Sequence, residues 1–380
     1  LAKRTGLNRI YLTTHGVNLA MAIKYLSYGD SSLEGAEKSF HALDLLRQYH
    51  GTANGLFSSD EHLSGNSPEQ GVELCTVVEL MYSMEEVFRH TSAMRAIDEL
   101  EFIAYNALAA TITPDFTAHQ YVQQTNQWTC SVHKNSFFDA DKYANTYGVE
   151  PNFGCCAANM HQGWPKFMSS AVWKQKNEIV IASFVSGIYQ IFLKEGMVRL
   201  QIETNYPYSD EVRIHLLEVT SPKSISVRIR IPYQVKTTMI RHGETSVITD
   251  KSEILLRQLV EGGVLSLTFH FEVEVFTNPD QSVSIRRGPL LFSRPIPSKE
   301  EYLFGPRPFH DRAFVPKGEV YPVPPLILGI RTDAMISREL HPSDFFQNRI
   351  TLQLPESRDI TFVPYASAVL RQTHFQRREV

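Results

Sequence analysis

The chain has 380 residues, 43% hydrophobic and 21% charged, with a net charge of −4. This is an ordinary globular balance for two or three domains. It lacks the basic stripe of a nucleic-acid binder, and no apolar run approaches the ~18 residues of a membrane helix. Four cysteines are too few for a disulfide framework and favour a reducing, cytoplasmic setting. The chain starts at Leu1 in what reads as mid-domain sequence, so a missing leader carries little weight.

The first part reads helical. In residues 14–30, His15, Leu19, Ile23 and Leu26 share one helical face, and Gly29 follows as a stop. Residues 32–51 give a second helix ending at Gly51. Residues 54–71 are rich in Gly, Ser, Asn and Pro and read as a loop. Residues 72–91 and 92–112 make a helical hairpin. A polar, aromatic loop runs from about 113 to 153, and 157–173 is one more helix.

The period then changes to two. Val198, Leu200 and Ile202 alternate with polar residues, as do Ile225, Val227, Ile229 and Ile231. The longest run is Leu265, Leu267, Phe269, Phe271, Val273 and Val275. These are half-buried antiparallel strands of the kind found in a sandwich. A Pro-rich stretch extends to about 325, and "RITLQL" and "ITFVPYA" close the chain as strands. Helices first and strands after predict separate domains: 1–177 helical, 178–295 a β-sandwich, and 296–380 a β-rich segment packed on the sandwich.

The chemistry concentrates in the helical part. "FGCCAANM" places Cys155 beside Cys156, and adjacent cysteines are poor disulfide partners. "VELC" places Glu73 two residues before Cys75. One carboxylate and three thiolates match the donor set of tetrahedral Zn²⁺. On spacing alone the favoured reading is Cys75 as a small buried apolar residue and Glu73 as a carboxylate stabilised by a helix N-terminus. Glu101 falls on an apolar stripe with Ile97, Ala104 and Leu108. A carboxylate there is costly unless it is paired or faces a cavity, so a buried ion pair and a functional role both stand. His15 reads as a core histidine or a ligand. Glu61 lies on the loop, with Asp60 as its neighbour and rival. Cys130 reads as a buried or free thiol.

Taken together, "HGVNLAMAIK", "GVELCTVVELMYSMEEVF", "DELEFIAYNALAA", "HQYVQQTNQ" and "FGCCAANM" resemble glycoside hydrolase family 127, the β-L-arabinofuranosidase family. The likeness continues through "NYPYSDEVRI", "SVRIRIP", "RRGPLLFS" and "FVPYASAVLR". The resemblance implies an (α/α)6 six-hairpin barrel, here its C-terminal half, followed by an antiparallel β-sandwich. It implies a retaining glycosidase releasing terminal L-arabinofuranose or a related sugar from a glycan. It implies zinc held by Glu73, Cys75, Cys155 and Cys156, with Cys155 as the nucleophile and Glu61 as the acid/base. His15, Glu101 and Tyr121 match sugar-binding positions. The implied partner is a carbohydrate, with no nucleic acid or membrane, and a homo-oligomer would form through the barrel or sandwich face.

The chain departs from the family pattern at Ala157, Ala158 and Gln162, and its Glu61 loop lacks the usual Leu-Pro-Asn stretch. The family's barrel also begins earlier. Half a ring would leave the stripe of Ile97, Glu101 and Leu108 without full cover, which predicts self-association and weak turnover. The competing reading is a zinc-stapled, non-catalytic carbohydrate-binding or pseudoenzyme fragment.

Overall fold

The computed structural model describes residues 14–375, apart from 135–139, 150–152, 176–177, 195, 221–225, 257–260, 304–310, 319–335, 340–348 and 353–359. The expected strand residue Ile225 and most of the Pro-rich stretch lie outside the described residues.

Helices occupy the first part: α1 (Gly16–Ala22), α2 (Tyr25–Tyr28), α3 (Leu33–His50), α4 (Leu74–Thr91), α5 (Met94–Ile103) and α6 (Gly154–Ser169). The single helix expected over residues 14–30 is broken between α1 and α2. The carbonyls of Ala20 and Ile23 accept from the hydroxyls of Ser83 and Ser39, at 2.6 and 2.9 Å. Those side chains tie the break to α4 and α3. Helix α3 is capped by Ser32, whose hydroxyl accepts from the amides of Glu34 and Gly35. Helix α4 carries the densest core face: Leu74, Val77, Leu80, Met81, Met84, Val87 and Phe88 are all buried. It packs against α1, α5 and α6.

Helix α5 runs into a π-helical turn, Ala104–Leu108. That widening sends the Asn106 side chain out of the helix. Its amide donates to Pro289 O at 2.7 Å, and its oxygen accepts from the Leu291 amide at 2.8 Å. A short polar side chain thus welds the helical part to "RRGPLLFS".

From residue 172 the chain is strands. A six-stranded sheet contains Gly187–Leu193, Gly196–Thr204, Glu211–Val219, Val235–His242, Thr245–Thr249 and Val264–Phe271. Val198, Leu200 and Ile202 are buried, as the alternation predicts. The long alternating run of 265–275 is not one strand. Val264–Phe271 pairs with Val235–His242 and Glu211–Val219, whereas Val273–Thr277 pairs with Val283–Arg287 in another sheet. The chain changes sheets at Glu272, and beyond it Val275 is exposed.

The stripe expected to lack cover is covered. Ile97, Glu101 and Leu108 have no exposed surface. Glu101 forms an ion pair with Arg230, from the strand Ser226–Arg230, and accepts from Tyr206 Oη at 2.8 Å. Arg230 also pairs with Asp98, and its Nε donates to Ala182 O at 2.6 Å. The strand part therefore supplies the lid of this helix face. Large exposed apolar side chains lie elsewhere, on α2 and α3: Tyr25, Leu26, Tyr28, Leu33, Leu45 and Tyr49.

The C-terminal stretch does more than lie on the strands. Ile360–Pro364 and Arg371–Gln372 pair with Leu290–Pro295. The side chains of Tyr365 and Arg371 reach the helical part. Tyr365 Oη donates to Gln123 Oε1 at 2.9 Å, and Arg371 Nε and Nη2 donate to Gln124 O at 3.1 and 3.0 Å. Arg371 also lies over the Tyr365 ring, 4.0 Å from its centre. This clamp fixes the strand Val122–Gln124, which in turn sets the site described next.

Candidate active site and metal centre

Two helix N-termini meet at the site. The short strand Gly71–Glu73 pairs with Val122–Gln124, placing Glu73 opposite Val122. Glu73 ends this strand and opens α4, so Cys75 falls in the first turn of that helix. The Glu73 amide donates to Ser59 O at 3.0 Å, and the Leu74 amide donates to Tyr121 O at 2.9 Å. Cys155 and Cys156 occupy the first turn of α6. Both helix dipoles point their positive ends at the same place, which favours thiolate and carboxylate there.

The expected ligand atoms come together. Cys75 Sγ lies 3.4 Å from Cys156 Sγ, and Cys155 Sγ lies 3.9 Å from both Cys156 Sγ and Glu73 Oε1. All four ligand atoms lie within 4.8 Å of one another. Cys155 is the exposed member, while Cys75, Cys156 and Glu73 are buried.

A second constellation shares Glu73. His15 Nε2 lies 2.8 Å from Glu73 Oε2 and 3.5 Å from Glu61 Oε2. Tyr121 Oη donates to Glu61 Oε1 in a short hydrogen bond. The Tyr121 ring stacks on Phe153, with centres 3.6 Å apart and planes 10° from parallel. Phe153 immediately precedes α6, so the stack couples the tyrosine to the cysteine turn.

The backbone around Glu61 is unusual. Glu61 has φ +84°, in the left-handed region that side chains other than glycine rarely adopt. Its carbonyl accepts from the Gly16 amide at 2.8 Å. A Cβ on Gly16 would run into the Cβ of Ser59, so only glycine allows α1 to approach this loop. Strain of this kind, held by surrounding contacts, collects at functional sites. Asp60, the rival carboxylate, is buried and accepts from Ser64 Oγ at 3.1 Å, whereas Glu61 is about one-third exposed.

Residues 12–169 match the family model described as Beta-L-arabinofuranosidase, GH127 catalytic domain. The match is to the catalytic domain and covers less than half of the chain. No curated protein matches the chain in sequence. Among solved structures, the chain is similar to one titled a glycoside hydrolase, with a TM-score of 0.68 and 12% identity over 97% of this chain and 67% of that one. It is also similar to a GH127 β-arabinofuranosidase (TM-score 0.62, 13% identity, 96% of this chain and 60% of that one). A GH127 β-L-arabinofuranosidase from Geobacillus stearothermophilus T6 gives a TM-score of 0.61 at 15% identity, over 95% of this chain and 59% of that one. At these identities the likeness is one of fold. The chain spans about three-fifths of the two arabinofuranosidases' length.

The donor set fits a thiophilic ion. A tetrahedral ion with ~2.3 Å bonds to sulfur spaces its sulfurs ~3.7 Å apart, close to the 3.4 and 3.9 Å seen here. The local electrostatics already separate the thiols. The hydrogen bond with Cys156 lowers Cys155 to about 6, while burial pushes Cys156 far up. The exposed sulfur is thus the one that carries negative charge near neutrality. Burial raises Glu73 to about 7, opposed by the hydrogen bond from His15. Tyr121 is held protonated by burial and by the neighbouring Glu73 and Glu61, so it serves as a donor.

Of the expected sugar-binding residues, His15 and Tyr121 lie against Glu61 and Glu73, whereas Glu101 Oε2 pairs with Arg230 and accepts from Tyr206. This is the buried ion pair that the apolar stripe also allowed. Phe153 escaped sequence reasoning because nothing in a lone aromatic before a cysteine pair signals a stack. Cys130 is fully buried, beside the Gln120 amide at 3.4 Å, and its thiol is pushed up to about 12 by burial. Among the described residues no helix is long and apolar enough to cross a membrane.

A first expected result concerns the ion. Protein purified with zinc present should carry about one equivalent per chain. Cys75→Ser should lower both the zinc content and the melting temperature, because thiolate ligands contribute directly to folding. Elemental analysis finding no thiophilic metal in folded wild-type protein would count against the centre.

Proposed function

We propose that the chain provides the active site of a retaining glycosidase acting on terminal L-arabinofuranose or a related sugar. The observation that carries this reading is one exposed thiol, Cys155, in a cluster of buried donors, with the strained Glu61 on the other side of the shared Glu73. A closed structural zinc site buries all its ligands and needs no strained carboxylate beside it, so the non-catalytic alternative explains less. The helices would belong to an (α/α)6 barrel and the sheets to β-sandwich modules.

Glu73, Cys75, Cys155 and Cys156 would hold Zn²⁺, which when bound keeps the thiols deprotonated. In the first step the Cys155 sulfur attacks the anomeric carbon. A C–S bond forms as the glycosidic C–O bond breaks, and Glu61 gives its proton to the leaving oxygen. In the second, water attacks the same carbon and passes a proton to Glu61. The C–S bond breaks and the thiolate is restored. Retention by two displacements requires a nucleophile and an acid/base about 5 Å apart on the two sides of the scissile bond. Tyr121 and His15 hold Glu61 in place and line the position of the sugar hydroxyls. Glu101 is left out of this set.

The test is the leaving-group dependence of Glu61→Gln. Turnover of alkyl arabinofuranosides should fall by ~10²–10⁴-fold, and that of nitrophenyl glycosides far less, because good leaving groups need no proton. Asp60→Asn showing that pattern in place of Glu61→Gln would move the acid/base to Asp60.

A further inference from the structure

The sulfur of Cys75 has a neighbour outside the donor set. Cys75 is buried at the start of α4 and meets two groups from α6. One is Cys156 Sγ, at 3.4 Å. The other is the side chain of Asn159, which is hydrogen-bonded to the Cys75 sulfur. Asn159 stands four residues after Cys155 and three after Cys156, so it lies one helical turn along α6 from both.

The Asn159 amide is held from behind. Gln162 Nε2 donates to Asn159 Oδ1 at 3.1 Å. With that oxygen occupied, Nδ2 is the atom left for the sulfur. Turning both amides round would aim Asn159 Oδ1 at Cys75 instead. That suits a protonated thiol, but a metal-bound thiolate has no proton to give and can only accept. The orientation with Nδ2 on the sulfur is therefore matched to the ionised, ligating form of Cys75. Gln162 is also a position at which the chain departs from the pattern of the family it resembles, so this holder is the chain's own.

The charge of the centre gives such a donor its use. Three thiolates and one carboxylate around a divalent ion leave a net charge of about −2. Cys75, Cys156 and Glu73 are buried, so little water is at hand to solvate that excess. The two helix N-termini offset part of it. A neutral N–H on a ligand sulfur offsets more and fixes the direction in which the sulfur presents its lone pairs, without adding a rival ligand.

We propose that Asn159, held by Gln162, is a positioning residue of the metal centre, donating to the Cys75 thiolate. The inference rests on the reading of Glu73, Cys75, Cys155 and Cys156 as metal ligands. It does not depend on hydrolysis.

Cobalt(II) is the probe, because it occupies tetrahedral thiolate sites and shows a sulfur-to-cobalt charge-transfer band. Titrated into metal-free protein it should give that band, and competition with a chromophoric chelator gives the affinity. Asn159→Leu removes the N–H at similar size. It should weaken binding by ~10–100-fold, the usual effect of losing a group that orients a ligand. It should also move the band to lower energy, because a sulfur lone pair freed of a hydrogen bond gives up its electron more readily. A merely structural role would lower the band's height without moving it. Gln162→Met leaves Asn159 in place but releases its amide, and should shift the band the same way by less; it decides the matter if Asn159→Leu does not fold. An unmoved band with unchanged affinity in Asn159→Leu, or in Gln162→Met where the first variant does not fold, would overturn the proposal and leave the centre standing. Wild-type protein without a charge-transfer band would remove the centre, and the role of Asn159 with it.

Discussion

Arg230→Ala is expected to destabilise the folded chain by ~3–5 kcal/mol, the usual cost of removing one partner from a buried ion pair. Arg230 is fully buried, and its guanidinium serves two carboxylates, Glu101 and Asp98, on α5. Without it, Glu101 would be left as an uncompensated charge with no exposed surface. Burial already raises Asp98 to about 6 even with Arg230 beside it, a measure of how dry the site is. The penalty is one of desolvation, so removing the charges together should recover much of it. The double variant Arg230→Met/Glu101→Leu should be markedly more stable than Arg230→Ala, as buried pairs replaced by apolar residues commonly are. Urea unfolding followed by far-ultraviolet circular dichroism measures both. A change below ~0.5 kcal/mol for Arg230→Ala would mean that the helical and strand parts are not held together here.

Local features with a strict chemical logic were legible before the fold was seen. Helices α3 and α4 lie where the sequence reads as helical, with the stop of α3 at Gly51. The four metal-capable residues follow from donor chemistry and, for their assembly, from resemblance. The misreadings come from interactions between distant segments. Periodicity over residues 14–30 gives one helix, and nothing local shows that Ser39 and Ser83 will take the carbonyls of Ile23 and Ala20. The alternation of 265–275 is continuous, so the change of sheet at Glu272 leaves no trace in it. Glu101 on an apolar stripe was ambiguous because its partner, Arg230, is 129 residues away and reads as the polar side of an alternating strand.

The same reasoning explains why the site was easier to foresee than its supports. Cysteine and glutamate announce their chemistry by type, and adjacency of Cys155 and Cys156 makes the intent visible. The groups that aim them do not. Tyr121 is placed by the pairing of Val122–Gln124 with Gly71–Glu73, by the stack on Phe153, and by Arg371 gripping Gln124 from the far end of the chain. These are residues of common type whose roles exist only in the assembled geometry.

Cys155 is where the two levels meet, and it gives the sharpest test. It is the only exposed cysteine of the four, and its thiol is lowered to about 6, whereas burial pushes Cys156 and Cys130 the other way. Reactivity toward a soft electrophile follows both thiolate fraction and access. Iodoacetamide at neutral pH should therefore modify folded, metal-free protein once, at residue 155. In active enzyme, Cys155→Ser should lower kcat on a nitrophenyl β-L-arabinofuranoside by ~10⁴-fold or more, because serine's hydroxyl stays protonated where the thiol does not. Cys156→Ser should act differently, by reducing metal content and stability, since that sulfur is buried against Cys75. Peptide mapping and metal analysis of the two variants separate the roles. Alkylation at residue 156 with residue 155 untouched would exchange them. Full turnover in Cys155→Ser would remove the sulfur from the reaction altogether.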